Sequence, residues 1–85
     1  WMFQSRGYQD SAIAYYSRVR RGAPDSARLL KAEAANNAGV AYEVLRDTSA
    51  AGTAYREAAA LLDTIEHPKE YQTIRENLAR LARAR

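Results

Sequence analysis

The amino-acid sequence predicts an all-α fold in which about four helices stack as antiparallel pairs. No segment alternates apolar and polar residues with the two-residue period of a half-buried strand. Alanine, leucine, glutamate and arginine, which favour helix, are common throughout the chain. The breaks between helical segments are short, and short connections place consecutive helices side by side in opposite directions.

Three breaks separate the predicted helices. In RRGAPDS, Gly22 is the predicted C-cap of the first helix and Asp25 the predicted N-cap of the second. In LRDTSA, the candidate N-caps for the third are Asp47, Thr48 and Ser49. Pro68 is typical of the first residue of a helix. The predicted helices are Gln9–Arg21, Ser26–Arg46, Thr48–Glu66 and Pro68–Ala84.

Each predicted helix has an apolar face. In the third and fourth helices, apolar residues recur three and four positions apart, which keeps them on one side of an α-helix. They are Ala51, Tyr55, Ala58 and Leu62 in the third helix, and Tyr71, Ile74, Leu78 and Leu81 in the fourth. Every helix is therefore expected to bury one face against its neighbours.

Composition limits the classes of function. The 85 residues include 13 basic and 10 acidic side chains, a net charge of +3, and the two signs are interspersed. This pattern indicates a solvated surface and argues against nucleic acid as the partner. The sequence has no cysteine, which excludes disulfides and thiolate metal sites.

No sequence feature selects a compartment. The chain lacks the roughly 18 consecutive apolar residues of a membrane span. It also lacks the layout of a signal peptide, and both cytoplasm and periplasm stay open. A chain that starts on Trp1 is expected to be a fragment of a larger protein. Its alanine and arginine bias is typical of a high-GC bacterium.

The residues needed for catalysis or for a cofactor are not grouped in this sequence. His67 is the single histidine and precedes a proline at a predicted helix start, where capping or exposure explains it. The serines have no flanking glycines of the nucleophile-elbow type, and each glycine-containing turn has a lone glycine with no preceding strand. We therefore predict a non-catalytic protein without metal or cofactor.

A weak internal repeat is visible. Ala12 and Tyr16 stand four positions apart, as do Ala51 and Tyr55, and the two pairs are offset by 39 positions. NNAGVAY, which contains Gly39, has a fainter echo 40 positions later in ENLARLA. The chain is therefore periodic at about 40 residues, with one helix pair in each period.

These residues resemble the tetratricopeptide repeat family, in which a glycine and a tyrosine three positions later are followed by an alanine and an aromatic residue in the second helix. The spacing exceeds the usual 34 residues and is similar to the longer-helix repeats of the kinesin light chain type. The resemblance implies one domain over 1–85, with a half repeat at 1–25, a full repeat at 26–66 and a closing helix at 67–85. The matching positions are Ala12, Tyr16, Pro24, Gly39, Tyr42, Ala51, Tyr55 and Ala58.

Gly39 and Ala51 are expected to let helix backbones approach closely, while Tyr42 and Tyr55 fill the adjoining space.

The family binds peptide segments on the concave face that the first helix of each pair lines. By register, the resemblance implies partner contacts from Glu33, Asn36, Asn37, Val40, Glu43, Val44, Asn77 and Arg80, with Thr73, Glu76 and Arg83 beside them. Asn37 is similar to a backbone-clamping asparagine of chaperone-binding members. Thr73 and Asn77 replace the basic residues of that clamp, so capture of a chaperone C-terminus is not expected.

Two alternatives stay open at this point. The aromatic residues near the N-terminus could form a self-association surface, which would make the chain an assembly module or homodimer without a peptide ligand. These residues are Trp1, Phe3, Tyr8, Tyr15 and Tyr16. The arginines of RENLARLARAR could instead contact phosphates if they shared one open face. Asn36 and Asn37 are equally well explained as polar residues of a helix surface.

Overall fold

The computed structural model describes residues 6–83 and consists there of four α-helices and no strands. The helices are α1 (Arg6–Gly22), α2 (Arg28–Val44), α3 (Thr48–Leu61) and α4 (Pro68–Arg83). Each helix packs against the one that follows it in the chain. This arrangement confirms the all-α, stacked helical fold class.

Consecutive helices run in opposite directions, and alternate helices run in the same direction. Arg28, at the start of α2, donates a hydrogen bond to the carbonyl oxygen of Ala60, near the end of α3, at 3.3 Å. Gly39, further along α2, lies against Tyr55, which comes earlier in α3. α2 and α3 are therefore antiparallel, as short connections require.

The local signals for helix ends are confirmed at two of the breaks. Asp47 is the N-cap of α3, and its carboxylate accepts a hydrogen bond from the backbone N–H of Ala50 at 3.1 Å. Pro68 is the first residue of α4. Its missing N–H costs nothing there, because the first N–H groups of a helix have no partner within the helix.

Two other predictions about helix ends were wrong. Asp25 does not cap α2, which begins at Arg28 after a turn in which the N–H of Ala27 donates to the carbonyl oxygen of Pro24; its carboxylate pairs with Lys31 at 3.3 Å. α3 does not reach Glu66 but ends at Leu61, where Leu62 turns into an extended conformation. The carboxylate of Asp63 then accepts hydrogen bonds from the N–H groups of Ile65 and Glu66, which stabilises a turn instead of a further helical turn.

The core is rich in alanine, and a single large aromatic ring occupies its centre. Tyr55 is 0% exposed. A Cβ atom built at Gly39 would lie only 2.5 Å from Cε1 of this ring, so the ring fills the space that a side chain at position 39 would need. The buried hydrophobic cluster comprises Tyr16, Val19, Ala32, Ala34, Ala35, Ala38, Ala51, Tyr55, Ala58, Leu62, Ile74 and Leu81.

A polar contact joins α1 to α3, which are not consecutive in the chain. The hydroxyl of Tyr16 donates to Oε1 of Glu57 at 2.5 Å, and Nε of Arg20 donates to Oε2 at 3.0 Å. We call Tyr16, Arg20 and Glu57 the outer triad. Burial of the hydroxyl and its hydrogen bond to Glu57 raise the pKa of Tyr16.

Candidate functional site

The surface between α2 and α4 contains most of the residues for which the sequence predicts partner contacts. Nδ2 of Asn77 donates to Oδ1 of Asn36 at 2.8 Å. A second contact joins Arg80 to Glu43. Glu43 lies seven residues after Asn36 in α2, and Arg80 lies three residues after Asn77 in α4. Because the later residue of α2 binds the later residue of α4, the two helices run parallel to each other. We call this surface the α2–α4 face.

Glu43 is the centre of a second set of polar contacts. Nη2 of Arg80 donates to Oε1 of Glu43 at 2.7 Å and Nε to Oε2 at 3.2 Å, a two-pronged contact in which both carboxylate oxygens are used. The hydroxyl of Tyr55 donates to Oε1 at 2.6 Å. We call Tyr55, Glu43 and Arg80 the inner triad. It connects α2, α3 and α4 at a single carboxylate.

The inner triad shifts the acidity of all three of its members. The hydrogen bonds from Arg80 lower the pKa of Glu43, because they stabilise the carboxylate more than its partial burial opposes it. Burial and the neighbouring carboxylate raise the pKa of Tyr55. The same carboxylate raises the pKa of Arg80. The structure therefore favours an ionised carboxylate that lies between a neutral tyrosine hydroxyl and a charged guanidinium.

The polar contacts extend from the inner triad to both asparagines. Nη1 of Arg80 donates to Oδ1 of Asn77 at 2.9 Å, and Asn77 is buried to 9% exposure. We call the inner triad, Asn36 and Asn77 together the α2–α4 network. Four predicted partner-binding residues therefore bind one another in the structure: Asn36, Glu43, Asn77 and Arg80.

The other four predicted partner-binding residues form an exposed row on α2, together with one residue that the sequence analysis missed. The row has helical spacing of three, four, three and four positions, and it consists of Leu30, Glu33, Asn37, Val40 and Val44. We call it the α2 stripe. Leu30, Val40 and Val44 are 42%, 40% and 42% exposed. Leu30 was missed because the register was taken from the family pattern, although its spacing from Glu33 already places it in the row.

A small cleft lies between α2 and α4 beside the α2 stripe. Its volume is about 180 Å³, and its lining includes Ile74 and Thr73 of α4 and Leu29 of α2. Glu33 and Glu70 also line it, so its chemistry is apolar with acidic side chains. The remaining predicted groove positions, Glu76 and Arg83, are exposed on α4.

The structure separates the aromatic residues of the predicted self-association patch. Tyr8 and Tyr15 are 61% and 45% exposed, whereas Tyr16 is buried in the outer triad. The guanidinium of Arg18 lies 5.8 Å from the ring centre of Tyr15, within cation–π range. Trp1 and Phe3 lie outside the described residues.

Within residues 6–83, no three histidine, cysteine, aspartate or glutamate side chains come together as a metal site. His67 is partly buried, and its backbone N–H donates to the carbonyl oxygen of Asp63 at 2.9 Å. Over the same residues, no helix is both long enough and apolar enough to cross a membrane.

Comparison of the chain with protein-family models, with curated proteins and with solved structures gives no significant match in any of the three.

Proposed function

We propose that the chain is a non-catalytic protein-interaction module that binds a peptide or protein segment along the α2–α4 face. The observation that supports this most directly is the α2 stripe. Three of the six large hydrophobic side chains that are exposed among residues 6–83 lie in this single row: Leu30, Val40 and Val44. Single exposed apolar residues are ordinary, but a row of them with polar spacers is typical of an interaction surface.

The α2–α4 network gives this surface a rigid edge. Because its side chains bind one another, they are already ordered and lose little rotamer freedom when a ligand arrives. The exposed stripe then makes most of the contacts. Apolar side chains of the ligand would pack on Val40 and Val44, and the amide of Asn37 can donate to or accept from a peptide backbone.

The charges along the face give the ligand a polarity. Glu33 and Glu70 lie at one end, where the cleft is, and at the other end Arg80 of α4 is paired with Glu43, which lies seven positions after Asn36 in α2. A segment with a basic residue near the first end would complement Glu33 and Glu70, while the charge of Arg80 is already balanced by Glu43. The tetratricopeptide-type register is part of this proposal, because it places α2 and α4 as first helices on a shared concave face.

The test uses peptides selected from a random display library on the immobilised chain, with their dissociation constants measured by fluorescence anisotropy. The variant is Val40→Arg with Val44→Arg, which replaces exposed apolar side chains by charge. Ile65→Arg is the matched control, because Ile65 is 88% exposed in the turn before α4. We expect the double variant to weaken binding at least about tenfold and the control to leave it within about twofold.

Equal binding by all three proteins would contradict the proposal. Sedimentation velocity of the same proteins tests the assembly alternative. A dimer that forms with rising concentration in the wild type, and is lost in the double variant, would assign the α2 stripe to self-association instead of to a peptide ligand.

A further inference from the structure

A second open surface lies between α3 and α4. It consists of two adjoining clefts of about 280 and 460 Å³, which share Arg56 and Leu78 in their linings. We call this surface the α3–α4 groove. Its main lining residues are Gly52, Arg56 and Ala59 on α3, and Tyr71, Leu78 and Ala82 on α4.

The floor of the α3–α4 groove is apolar, and its α4 wall is low at Ala82. Tyr71 and Leu78 are partly buried and pack against the hydrophobic cluster, but one side of each faces the groove. Ala82 has a small side chain on the α4 wall, while on the α3 wall the guanidinium of Arg56 lies 3.1 Å from a Cβ built at Gly52 and covers that glycine. The shape therefore suits the apolar side of an amphipathic helix.

The charged residues of this groove have the same sign and lack acidic partners. Arg56 makes only a long contact, 3.5 Å, to the hydroxyl of Thr53. Arg75 lies 6.0 Å from the ring centre of Tyr71 and donates to the hydroxyl of that tyrosine at 3.3 Å. Among the residues that the structure describes, no carboxylate lies within ion-pair distance of either arginine.

α3 itself packs on one helix and forms an ion pair with a basic residue of the next helix in the stack. α3 packs on α2 and reaches α1 through Glu57, which binds Arg20 and the hydroxyl of Tyr16. A helix that packs on α4 and reaches α3 would meet Arg56 and Arg75 in a comparable way. We infer that the α3–α4 groove binds an acidic amphipathic helix of a partner protein, whose carboxylates pair with these two arginines.

A second copy of this chain is a poorer occupant. Basic and acidic residues number four and one in α1, two and two in α2, one and one in α3, and four and two in α4. No helix of the described chain has an acidic excess. Charge complementarity at Arg56 and Arg75 therefore selects a partner of different sequence.

The test uses two synthetic helical peptides with the 16-residue length of α4. Both have the same stripe of alanine and leucine, flanked by glutamate in one peptide and by lysine in the other. Fluorescence anisotropy measures their binding to the full chain. We expect the glutamate peptide to bind at least about tenfold more tightly than the lysine peptide.

Charge reversal then locates the site. Arg56→Glu with Arg75→Glu should weaken binding of the glutamate peptide about tenfold and strengthen binding of the lysine peptide. Arg18→Glu with Arg21→Glu changes the net charge equally at exposed positions of α1, and should leave the difference between the peptides within about twofold of wild type. Amide NMR shifts on binding should be largest at Gly52 and Ala82.

Three results would overturn the inference: similar affinity for the two peptides, an equal loss in both double variants, or NMR shifts centred on α2. Val40→Arg separates it from the proposed function, because Val40 lines neither cleft of the groove, whereas Val44 shares a cleft with Thr48 and Leu81. That variant should weaken binding along the α2 stripe while the glutamate peptide still binds the α3–α4 groove.

Discussion

The outer and inner triads have the same chemistry but differ in burial and in the number of helices that they join. In each, a tyrosine hydroxyl and a guanidinium bind one carboxylate. In the outer triad Arg20 donates one hydrogen bond to Glu57, and the two side chains are 59% and 29% exposed. In the inner triad Arg80 donates two hydrogen bonds to Glu43, the two side chains are 49% and 21% exposed, and Tyr55 is fully buried.

This difference shows how the helical stack is held in register. Consecutive helices pack through apolar faces, whereas the triads join helices two apart in the chain: α1 with α3, and α2 with α4. The inner triad also includes α3 through Tyr55, so its carboxylate connects three helices. A two-pronged contact between a guanidinium and a carboxylate tolerates less change than a single hydrogen bond. The inner triad should therefore contribute more to stability.

Gly39→Ala should have the largest effect, because it displaces the ring of the inner triad. The added Cβ would lie 2.5 Å from Cε1 and 2.6 Å from Cδ1 of Tyr55. Overpacking should lower the free energy of unfolding by about 1–3 kcal/mol, even though alanine favours helix. Urea denaturation followed by circular dichroism measures it.

Gly22→Ala is the matched control, because nothing lies within 4 Å of a Cβ at that position. Its backbone φ is not positive, so alanine fits without strain. It should leave stability unchanged or raise it by up to about 1 kcal/mol. A loss at Gly39 no larger than at Gly22 would show that the ring of Tyr55 relaxes freely, and the inner triad would then not be rigid.

Glu43→Gln compared with Glu57→Gln tests the difference in the number of guanidinium contacts directly. Both changes keep the shape of the side chain and remove its charge. We expect a loss of about 1–2 kcal/mol at Glu43, where two hydrogen bonds come from one guanidinium. At Glu57 the loss should be at most about 1 kcal/mol, because the guanidinium of Arg20 makes a single hydrogen bond and is largely exposed. Equal losses of unfolding free energy in urea denaturation would show that the two triads contribute equally to stability.

The decrease in stability at acid pH should depend on Glu43 of the inner triad. The pKa of Glu43 is lower in the folded chain than its unfolded value of about 4.3. Its contribution is therefore fully present above that unfolded value and is lost as pH falls through the lower folded pKa. The stability gap between wild type and Glu43→Gln should narrow from pH 6 to pH 3. A gap that stays constant across this range would contradict the proposed link between Glu43 and Arg80.

Arg20→Gln should have the smallest effect. The guanidinium of the outer triad is largely exposed, so solvent and salt screen its interaction with Glu57. The free energy of unfolding should change by less than about 0.5 kcal/mol, and the difference should vanish in 1 M sodium chloride. A loss as large as that of Glu43→Gln would mean that the outer triad also fixes helix register.

Local chemistry explains which parts of the fold the sequence predicted. Asp47 and Pro68 act within one turn of their own positions, so their roles follow from residue type and spacing. Asp25 has the same chemistry as Asp47, but Lys31, six residues away, binds it instead. Asp63 ends α3 early because its carboxylate stabilises a turn. Competing partners of this kind cannot be ranked from the sequence.

The same local reasoning predicted only part of the candidate site. The α2 stripe follows from helical spacing, and the sequence placed all of it except Leu30 among the partner-binding residues. The mutual binding of Asn36 and Asn77 was not predicted, because it joins positions 41 apart that only the packing of α2 and α4 brings together. Glu57 and Arg20 were missed for the same reason, since nothing local connects them.

The sequence by itself determined the helices and their apolar faces, because propensity, capping and periodicity act over one or two turns of the chain. Only the tertiary structure decided which of the polar residues on those helices bind each other and which stay open to a partner. That choice depends on distances of a few ångströms between side chains far apart in sequence. It left the α2 stripe and the α3–α4 groove open, while it satisfied the α2–α4 network internally.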